Sequence, residues 1–272
     1  MNQVFKQNAP LALFDSHCHF DFQSFDSDRQ QIWQQCRQVG VSNLLVPAVH
    51  TGNWQAVIEL AQNYGVVCAL GLHPYWTERH RQADIALLAS RVAQLLAESN
   101  SPLVAIGECG LDAVAAPAQM SKQIDLLSEQ LALAQQFDLP VVLHVRKAHA
   151  ELQQLLKQFQ GIKGVVHAFS GSVELGASYI RLGMKLGIGG TITYPRANKT
   201  RQAVAQLPLA SLLLETDAPD MPINGRQGQR NSPLYLPQVL DQLAALRTES
   251  KSDIAECLWR NSNELFSRTS ST

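Results

Sequence analysis

The chain has 272 residues, of which 46% are hydrophobic, and its formal net charge is −1 at pH 7. This length allows a large buried core and suits either two domains or one α/β barrel of about 250 residues. The near-neutral charge excludes the broad positive field with which many proteins hold duplex nucleic acid, so any anionic ligand must be bound by local contacts.

The sequence shows no pattern typical of export or membrane insertion. Residues 1–14 lack a basic segment followed by an apolar run of roughly 7–15 residues, and no stretch approaches about 18 unbroken apolar residues. We therefore expect a cytoplasmic protein with no membrane partner. The cysteines are odd in number and never spaced as CxxC, which argues against disulfides or a thiolate zinc site and predicts buried small side chains. They are Cys18, Cys36, Cys68, Cys109 and Cys257.

Eight short apolar runs have the composition of buried strands. In chain order they span residues 11–14, 43–49, 66–71, 103–106, 140–143, 164–166, 184–188 and 211–214. Amphipathic stretches long enough for crossover helices lie between them, the clearest at residues 28–39, 54–63, 83–97, 119–137 and 148–159. Residues 251–266 form one further amphipathic stretch, which Ser250 or Ser252 can cap.

The alternation of strands and helices indicates the fold class. Continuous apolar strands joined by helices predict a parallel sheet covered by helices. Eight such units, without a GxGxxG loop after the first strand, predict a closed (β/α)8 TIM barrel rather than an open doubly wound sheet. The unit after the seventh strand is short and weakly patterned, so the count is defined only to within one unit. No linker divides residues 1–272, which we expect to form a single domain.

Two histidines follow the first predicted strand. His17 and His19 are two residues apart, so on an extended chain their side chains share one face and can reach one ion. A helical spacing would be three or four residues. Taken alone, this pair is equally compatible with two surface or structural histidines.

Four more ligand-type residues are associated with other predicted strands. Glu108, His144, His167 and Asp217 follow the fourth, fifth, sixth and eighth runs. The carboxyl ends of barrel strands meet at one face, where barrel enzymes place their chemistry. A single histidine at a strand end is more often a hydrogen-bonded core residue, but six such residues at strand ends together indicate a functional site.

The ligand types suggest which metals the site would take. Imidazole and carboxylate groups suit zinc, manganese, cobalt or nickel, whereas magnesium prefers all-oxygen ligands, so zinc or manganese is the first choice. Six protein ligands are too many for one tetrahedral catalytic zinc that must keep an open position. They suit two divalent ions that share a bridging carboxylate and a bridging water.

Seven short motifs together resemble the TatD family of metal-dependent deoxyribonucleases, within the amidohydrolase superfamily. They are Asp15-Ser16-His17-Cys18-His19, Gly71-Leu72-His73-Pro74, Gly107-Glu108-Cys109-Gly110-Leu111-Asp112, Leu139-Pro140-Val141-Val142-Leu143-His144-Val145-Arg146, His167-Ala168-Phe169-Ser170-Gly171, Glu215-Thr216-Asp217-Ala218-Pro219 and Arg230-Asn231-Ser232-Pro233. The resemblance implies a TIM barrel, two divalent ions (Zn, Mn, Mg, Co or Ni) and hydrolysis of DNA phosphodiester bonds. It also implies that His17, His19, Glu108 and Asp217 hold one ion, and Glu108, His144 and His167 the other.

The sequence departs from the family pattern after Asp112. Family members usually continue with aromatic residues, whereas this chain has Ala113-Val114-Ala115-Ala116. Because this loop is expected near the mouth of the barrel, the departure bears on substrate preference rather than on the metals.

Several cationic and aromatic residues are candidates for substrate contacts. Arg146 lies two residues beyond His144, where its guanidinium can hold a phosphate, although a salt bridge to a carboxylate is an equal alternative. His73 can reach a phosphate or make a structural hydrogen bond. The other candidates are Arg226 and Arg230, which flank a glycine-rich loop, and Tyr75 and Trp76, which can stack a base. Three further histidines match no ligand position and are expected to be structural or exposed: His50, His80 and His149.

These features together predict a metal-dependent hydrolase, most plainly a nuclease for short or single-stranded DNA. Catalysis is assigned to Asp217, which would accept or relay a proton from the attacking water, and to Glu108, which would bridge the ions. A hydrolase of small carbonyl compounds on the same barrel is the main alternative, and a non-catalytic metal-binding protein is a further one. Related dinuclear amidases often carry a modified lysine on strand four, where this chain has Glu108. The oligomeric state is left open, with a monomer compatible.

Overall fold

The computed structural model describes residues 10–267 and contains eight strands that alternate with helices. The strands are β1 (Leu13–Asp15), β2 (Val41–Pro47), β3 (Val67–Leu70), β4 (Leu103–Asp112), β5 (Val141–Arg146), β6 (Gly164–Val166), β7 (Met184–Ile188) and β8 (Leu212–Leu214). The helices are α1 (Arg29–Gln38), α2 (Trp54–Tyr64), α3 (Ala83–Leu96), α4 (Met120–Gln136), α5 (His149–Leu156), α6 (Val173–Arg181), α7 (Asn198–Gln206), α8 (Leu236–Leu246) and α9 (Lys251–Phe266).

The strands form one parallel sheet in chain order, and this sheet closes on itself. Closure occurs where the Ser16 amide, just after β1, donates a hydrogen bond to the Leu214 carbonyl of β8 at 2.8 Å. A parallel bridge between Cys18 and Ala218 continues the closure beyond the strand ends. The predicted (β/α)8 TIM barrel is therefore confirmed.

All eight predicted strands are present, and the main differences lie at the ends of β4 and β5. The sequence pattern ends these strands at residues 106 and 143, whereas they continue to Asp112 and Arg146. A Cβ atom on Gly110 would lie 1.9 Å from the His144 carbonyl oxygen, so the glycine lets the two backbones approach and stay paired. Glu108 and His144 consequently lie within strands rather than directly after them.

The predicted helices α1 to α5 and α9 are confirmed within three residues of their expected bounds. Ser250 caps α9, since its side chain accepts a hydrogen bond from the Asp253 amide at 3.1 Å. The weakly patterned unit after β7 forms a 3-10 turn (Gly190–Thr193) followed by the nine-residue α7, which confirms the count of eight. No described helix is long and apolar enough to cross a membrane.

Two apolar layers stabilise the barrel. The layer between strands and helices includes four of the five cysteines, buried as predicted, whereas Cys257 on α9 is only partly buried. The inner layer contains Phe14, against which Phe266 of α9 packs with ring centroids 5.8 Å apart. Asn261 of α9 donates hydrogen bonds to the carbonyls of Leu209 and Leu212 at the beginning of β8. Helix α9 therefore covers the end of the barrel opposite the carboxyl ends of the strands.

A glycine in β7 leaves space for a buried carboxylate at the carboxyl ends of the strands. Glu215, just after β8, accepts a hydrogen bond from the Ala168 amide at 2.5 Å and so holds the turn that follows His167. A Cβ atom on Gly187 would lie 1.9 Å from Glu215 Oε2. Only glycine therefore fits at position 187 without displacing Glu215.

Replacing Gly187 with alanine should lower the free energy of unfolding by about 1–3 kcal/mol, the usual cost of overpacking a core. Gly189→Ala is the matched control, because a Cβ atom there meets Glu215 at an ordinary 3.4 Å. Its effect should stay within about 0.5 kcal/mol. Urea unfolding measures both variants, and equal stabilities would show that Glu215 does not depend on the space at Gly187.

Candidate metal centre

Glu108 lies at the centre of a group of histidines at the carboxyl ends of the strands. Its side chain is 1% exposed. Oxygen Oε2 faces the end of β1, with His17 Nε2 at 3.2 Å and His19 Nε2 at 3.3 Å. Oxygen Oε1 faces the other way, with His144 Nδ1 at 3.3 Å and His167 Nε2 at 2.8 Å. The two oxygens of one carboxylate thus face two separate pairs of imidazoles.

Asp217 lies on the His17 and His19 side of this centre. Its Oδ1 atom is 3.5 Å from His17 Nε2 and 3.7 Å from His19 Nε2. The backbone of Asp217 has φ of +57°, an uncommon conformation for a residue other than glycine, and its amide donates to the His17 carbonyl at 2.9 Å. All six ligands predicted from the sequence are therefore brought together.

The ligand atoms are grouped closely enough to hold cations. Three sets have their atoms within 4.8 Å of one another: His17, His19 and Asp217; His17, Glu108 and His167; and His73, Glu108 and His144. Glu108 Oε2 is buried and has no hydrogen-bond partner, although two imidazole nitrogens lie within 3.3 Å of it. A buried carboxylate oxygen without a hydrogen-bond donor, beside several imidazole nitrogens, is a set of ligand atoms that suits a metal cation. The residues therefore fit divalent metal ions.

The charge state of the centre makes metal binding depend on pH. Burial opposes ionisation of Glu108, but the surrounding histidines prevail and hold its pKa well below the usual range. Burial also lowers the pKa of His17 well below its ordinary value, which leaves that ring neutral. Burial acts to lower the pKa of His19 and His144 as well, but neighbouring carboxylates raise both to about 9. A metal ion must therefore displace protons from these two rings, and its binding depends on pH.

His73 presents a proton, rather than a lone pair, to Glu108. Its Nδ1 atom accepts a hydrogen bond from the Tyr75 amide at 3.0 Å, so the neutral ring carries its proton on Nε2. Burial lowers the pKa of His73 to about 4, which keeps the ring neutral. Its Nε2 atom lies 2.9 Å from Glu108 Oε1. His73 is thus placed as a hydrogen-bond donor rather than as a ligand with a free lone pair.

Asp112 is a residue of the centre to which the sequence analysis assigned no role. Its Oδ2 atom lies 3.0 Å from His144 Nε2, while its Oδ1 atom accepts hydrogen bonds from the amides of Val114 and Ala115, each at 2.8 Å. The Gln123 side chain binds both the amide and the carbonyl of Asp112. Asp112 therefore fixes a proton on His144 Nε2 and leaves Nδ1 facing Glu108. The only signal in the sequence was its position in the motif that contains Glu108.

Asp15 is a second residue without a predicted role, and it joins the first and last strands. Its carboxylate accepts hydrogen bonds from the Thr216 amide at 2.9 Å and the Thr216 hydroxyl at 2.6 Å. It also accepts one from the His17 amide at 3.3 Å. Burial raises the pKa of Asp15 to about 7. These contacts hold His17 beside Asp217.

A cleft of about 670 Å³ opens above Glu108. Aromatic residues line part of it: Phe22, whose ring stacks on His19 with centroids 4.6 Å apart, and the predicted Tyr75 and Trp76. Arg146 also lines the cleft at the exposed end of β5 and forms no ion pair with any residue between 10 and 267. The sequence left two roles open for Arg146, a phosphate contact and a salt bridge to a carboxylate, and the salt bridge is not observed. His73 lines the same cleft.

Arg226 and Arg230, which the sequence predicts as substrate contacts, do not line this cleft. Arg230 forms a two-pronged ion pair with Asp28, at 2.6 and 2.9 Å. The Arg226 guanidinium lies 4.2 Å above the ring of Tyr235. The loop after β8 folds towards α1 and α8, where both cations find other partners.

The three remaining histidines lie outside the metal-ligand sets, as expected. His80 is buried, with Nε2 2.9 Å from the His73 carbonyl oxygen. His149 lies 2.8 Å from the Tyr179 hydroxyl, and the ring of His50 lies 5.4 Å from that of Trp76. His80 and His50 therefore contact the cleft residues His73 and Trp76 without entering the centre.

Comparison with known proteins gives the same family as the motifs. The sequence profile described as TatD related DNase matches residues 14–267. The uncharacterized metal-dependent hydrolase YjjV of Escherichia coli K12 is 47% identical over 256 residues, which cover 93% of this chain and 97% of that protein. The 3'-5' ssDNA/RNA exonuclease TatD of Erwinia amylovora is 33% identical over 264 residues, covering 93% and 99%.

A solved structure is similar over the whole described barrel. The crystal structure of YjjV, a TatD homolog from E. coli K12, superposes with a TM-score of 0.89 at 45% identity, covering 94% of this chain and 98% of that one. The sequence motifs, the closed barrel and the metal-ligating cluster agree with these similarities. The chain therefore belongs to the TatD-related DNase family, and it is a metal-dependent hydrolase of that family.

Proposed function

We propose that the protein is a nuclease that hydrolyses phosphodiester bonds at the ends of DNA strands or within single strands, with two divalent ions. The observation that carries this proposal is the division of the Glu108 carboxylate between two sets of imidazoles. It suits a pair of ions that share one bridging ligand, the arrangement typical of enzymes that hydrolyse phosphate esters. The similarity to a relative named as a 3'-5' ssDNA/RNA exonuclease supports the substrate class and adds RNA to it.

The proposed ligands divide between two ions. His17, His19 and Asp217 would hold one ion together with Glu108 Oε2, and His144 and His167 would hold the other together with Glu108 Oε1. Zinc and manganese are the first choices for this mixed set of imidazole and carboxylate ligands. When bound, such ions make water a nucleophile near neutral pH and offset the charge of phosphoryl oxygens.

Residues of the chain itself would position and hold the substrate. Asp217 lines the cleft and, unlike Glu108, would contact only one of the two ions, so it would be placed to accept the proton of the attacking water. The Nε2–H group of His73 and the guanidinium of Arg146 would donate hydrogen bonds to phosphate oxygens. Tyr75 is 62% exposed and, with Trp76, offers a ring face to an unpaired base. No covalent intermediate is required.

A comparison of substrates tests this function against its main alternative. Purified protein with manganese, zinc, cobalt or magnesium should cleave single-stranded or end-frayed DNA faster than a panel of lactones and dipeptides. Clear turnover of a lactone or dipeptide without any cleavage of nucleic acid would overturn the nuclease proposal and leave the metal-dependent hydrolase. The cytoplasmic location and the single-domain organisation stay predictions.

We predict that the protein binds two divalent ions per chain and that Glu108→Ala is the most damaging single ligand change. The alanine variant loses a contact to both ions, whereas His19→Ala loses a contact to only one. Metal analysis after dialysis against excess zinc or manganese should give about two ions for the parent and at most one for Glu108→Ala. A parent protein that never exceeds one ion would contradict the shared carboxylate.

Asp112→Asn should weaken metal binding by about 10- to 100-fold, the usual effect of removing the partner of a metal-ligating histidine. The variant amide keeps its oxygen towards the amides of Val114 and Ala115, so its NH2 group must face His144 Nε2. His144 then carries its proton on Nδ1, and its lone pair points away from Glu108.

Competition with a chelator measures the affinity of this variant, and thermal unfolding checks that the fold is kept. The exposed Asp125→Asn on α4 is the matched control and should bind metal like the parent. If Asp112→Asn kept the parent's affinity, Asp112 would only cap the loop after β4.

Arg146→Lys should reduce turnover about tenfold or more with little change in stability, because lysine keeps the charge but loses the planar fork that holds two oxygens. Arg181→Lys, at the exposed end of α6, is the control and should leave both unchanged. Steady-state kinetics and thermal unfolding are measured on both. A large loss of stability with normal turnover would make Arg146 a structural residue.

A further inference from the structure

A second groove of about 350 Å³ lies beside the metal cleft and shares one wall with it. The shared residue is Met221, which lines both spaces and is 37% exposed. Met221 belongs to the turn after Asp217 and has φ of +50°, a conformation uncommon for a residue other than glycine. The groove is lined by Thr191, Tyr194, Arg196, Ala197, Met221 and Pro222, and we call it the Tyr194 groove.

The ring of Tyr194 is held in a fixed position in this groove. Its hydroxyl group donates a hydrogen bond to the Pro222 carbonyl at 2.7 Å, across the gap between the loops after β7 and β8. The Arg196 guanidinium carbon lies over the Tyr194 ring, 5.3 Å from its centroid. Proteins stack the bases of single strands on such fixed, partly exposed rings, and the base would take the ring face opposite the guanidinium.

The charge of the groove selects an anionic ligand. No carboxylate is among its lining residues. Arg196 is exposed, and within residues 10–267 it forms no ion pair, in contrast to Arg230. An exposed guanidinium without a carboxylate partner is free to bind phosphate oxygens with two parallel hydrogen bonds.

We propose that the Tyr194 groove binds the nucleotide next to the one held at the metal centre, with its base against Tyr194 and its phosphate against Arg196. The proposal rests on the proposed nuclease function, since its ligand is a chain of nucleotides that would extend across Met221 from one space into the other. Stacking of a base on a ring and binding of a phosphate do not depend on the base sequence, so the groove would bind a strand of any base composition. It would give longer strands an advantage over the smallest diesters.

The double variant Y194A/R196A tests the groove with two phosphodiesters of different length. One is methyl p-nitrophenyl phosphate, which has no base, and the other is a tetrathymidylate. The measured quantity is the kcat/KM for the tetranucleotide divided by that for the small diester. This ratio should fall about tenfold or more in the double variant, within the range expected for the loss of one base stack.

Two further variants separate the contributions to this ratio. Y194F keeps the ring but loses the hydrogen bond to Pro222, so its ratio should fall less than that of Y194A/R196A. Arg181→Ala removes a charge from the exposed end of α6 and should leave the ratio unchanged. A fall with Arg181→Ala as large as that with Y194A/R196A would mean that net charge, and not the groove, favours long strands, and would overturn the proposal.

The remaining outcomes distinguish the groove from the function on which it rests. If the parent protein cleaves the tetranucleotide and Y194A/R196A keeps the parent's ratio, the groove is not a subsite and the nuclease function stands. Equal losses on both substrates would show that the two residues only support the metal cleft, and would also overturn the subsite. If the parent cleaves no nucleic acid at all, the proposed function fails and the subsite fails with it.

Discussion

The position of one buried carboxylate determines the rest of the site. Glu108 has five imidazole nitrogens within 3.3 Å of its two oxygens. Moving an ionised carboxylate out of water costs on the order of several kcal/mol. A buried carboxylate therefore stays ionised only where partners compensate its charge. The closed barrel supplies these partners from strands far apart in the sequence, since the carboxyl ends of all its strands meet at one face. The chemistry of the protein therefore depends on closure of the barrel.

Three further carboxylates keep the proposed metal ligands in place. Asp15 joins the ends of β1 and β8, Asp112 orients His144, and Glu215 holds the turn after His167. None of the three lines the cleft, so their effect on chemistry passes through the residues they hold. Such partners fix the rotamers and tautomers of ligands, which a metal centre requires before any ion binds. These carboxylates belong to the same sequence motifs as the proposed ligands, two to four residues from His17, Glu108 or Asp217.

The sequence predicted the ligands better than their surroundings. His17 and Asp217 were predictable because each follows an apolar run, and the end of a strand fixes where a side chain lies in a barrel. The role of Asp112 depended on β4 continuing through Gly110, which strand composition does not indicate. The ion pair of Arg230 was not predictable because its partner Asp28 is 202 residues away, and only the folded loop shows that the two meet. The Tyr194 groove likewise forms between loops that follow different strands.

A crystal structure of the protein soaked with manganese, with anomalous scattering measured, tests most directly whether Glu108 is shared between two ions. We expect two anomalous peaks, one between Glu108 Oε2 and the pair His17 and His19, and the other between Glu108 Oε1 and the pair His144 and His167. A single peak at full occupancy, or two peaks of which neither contacts Glu108, would contradict the shared carboxylate and the two-ion centre built on it.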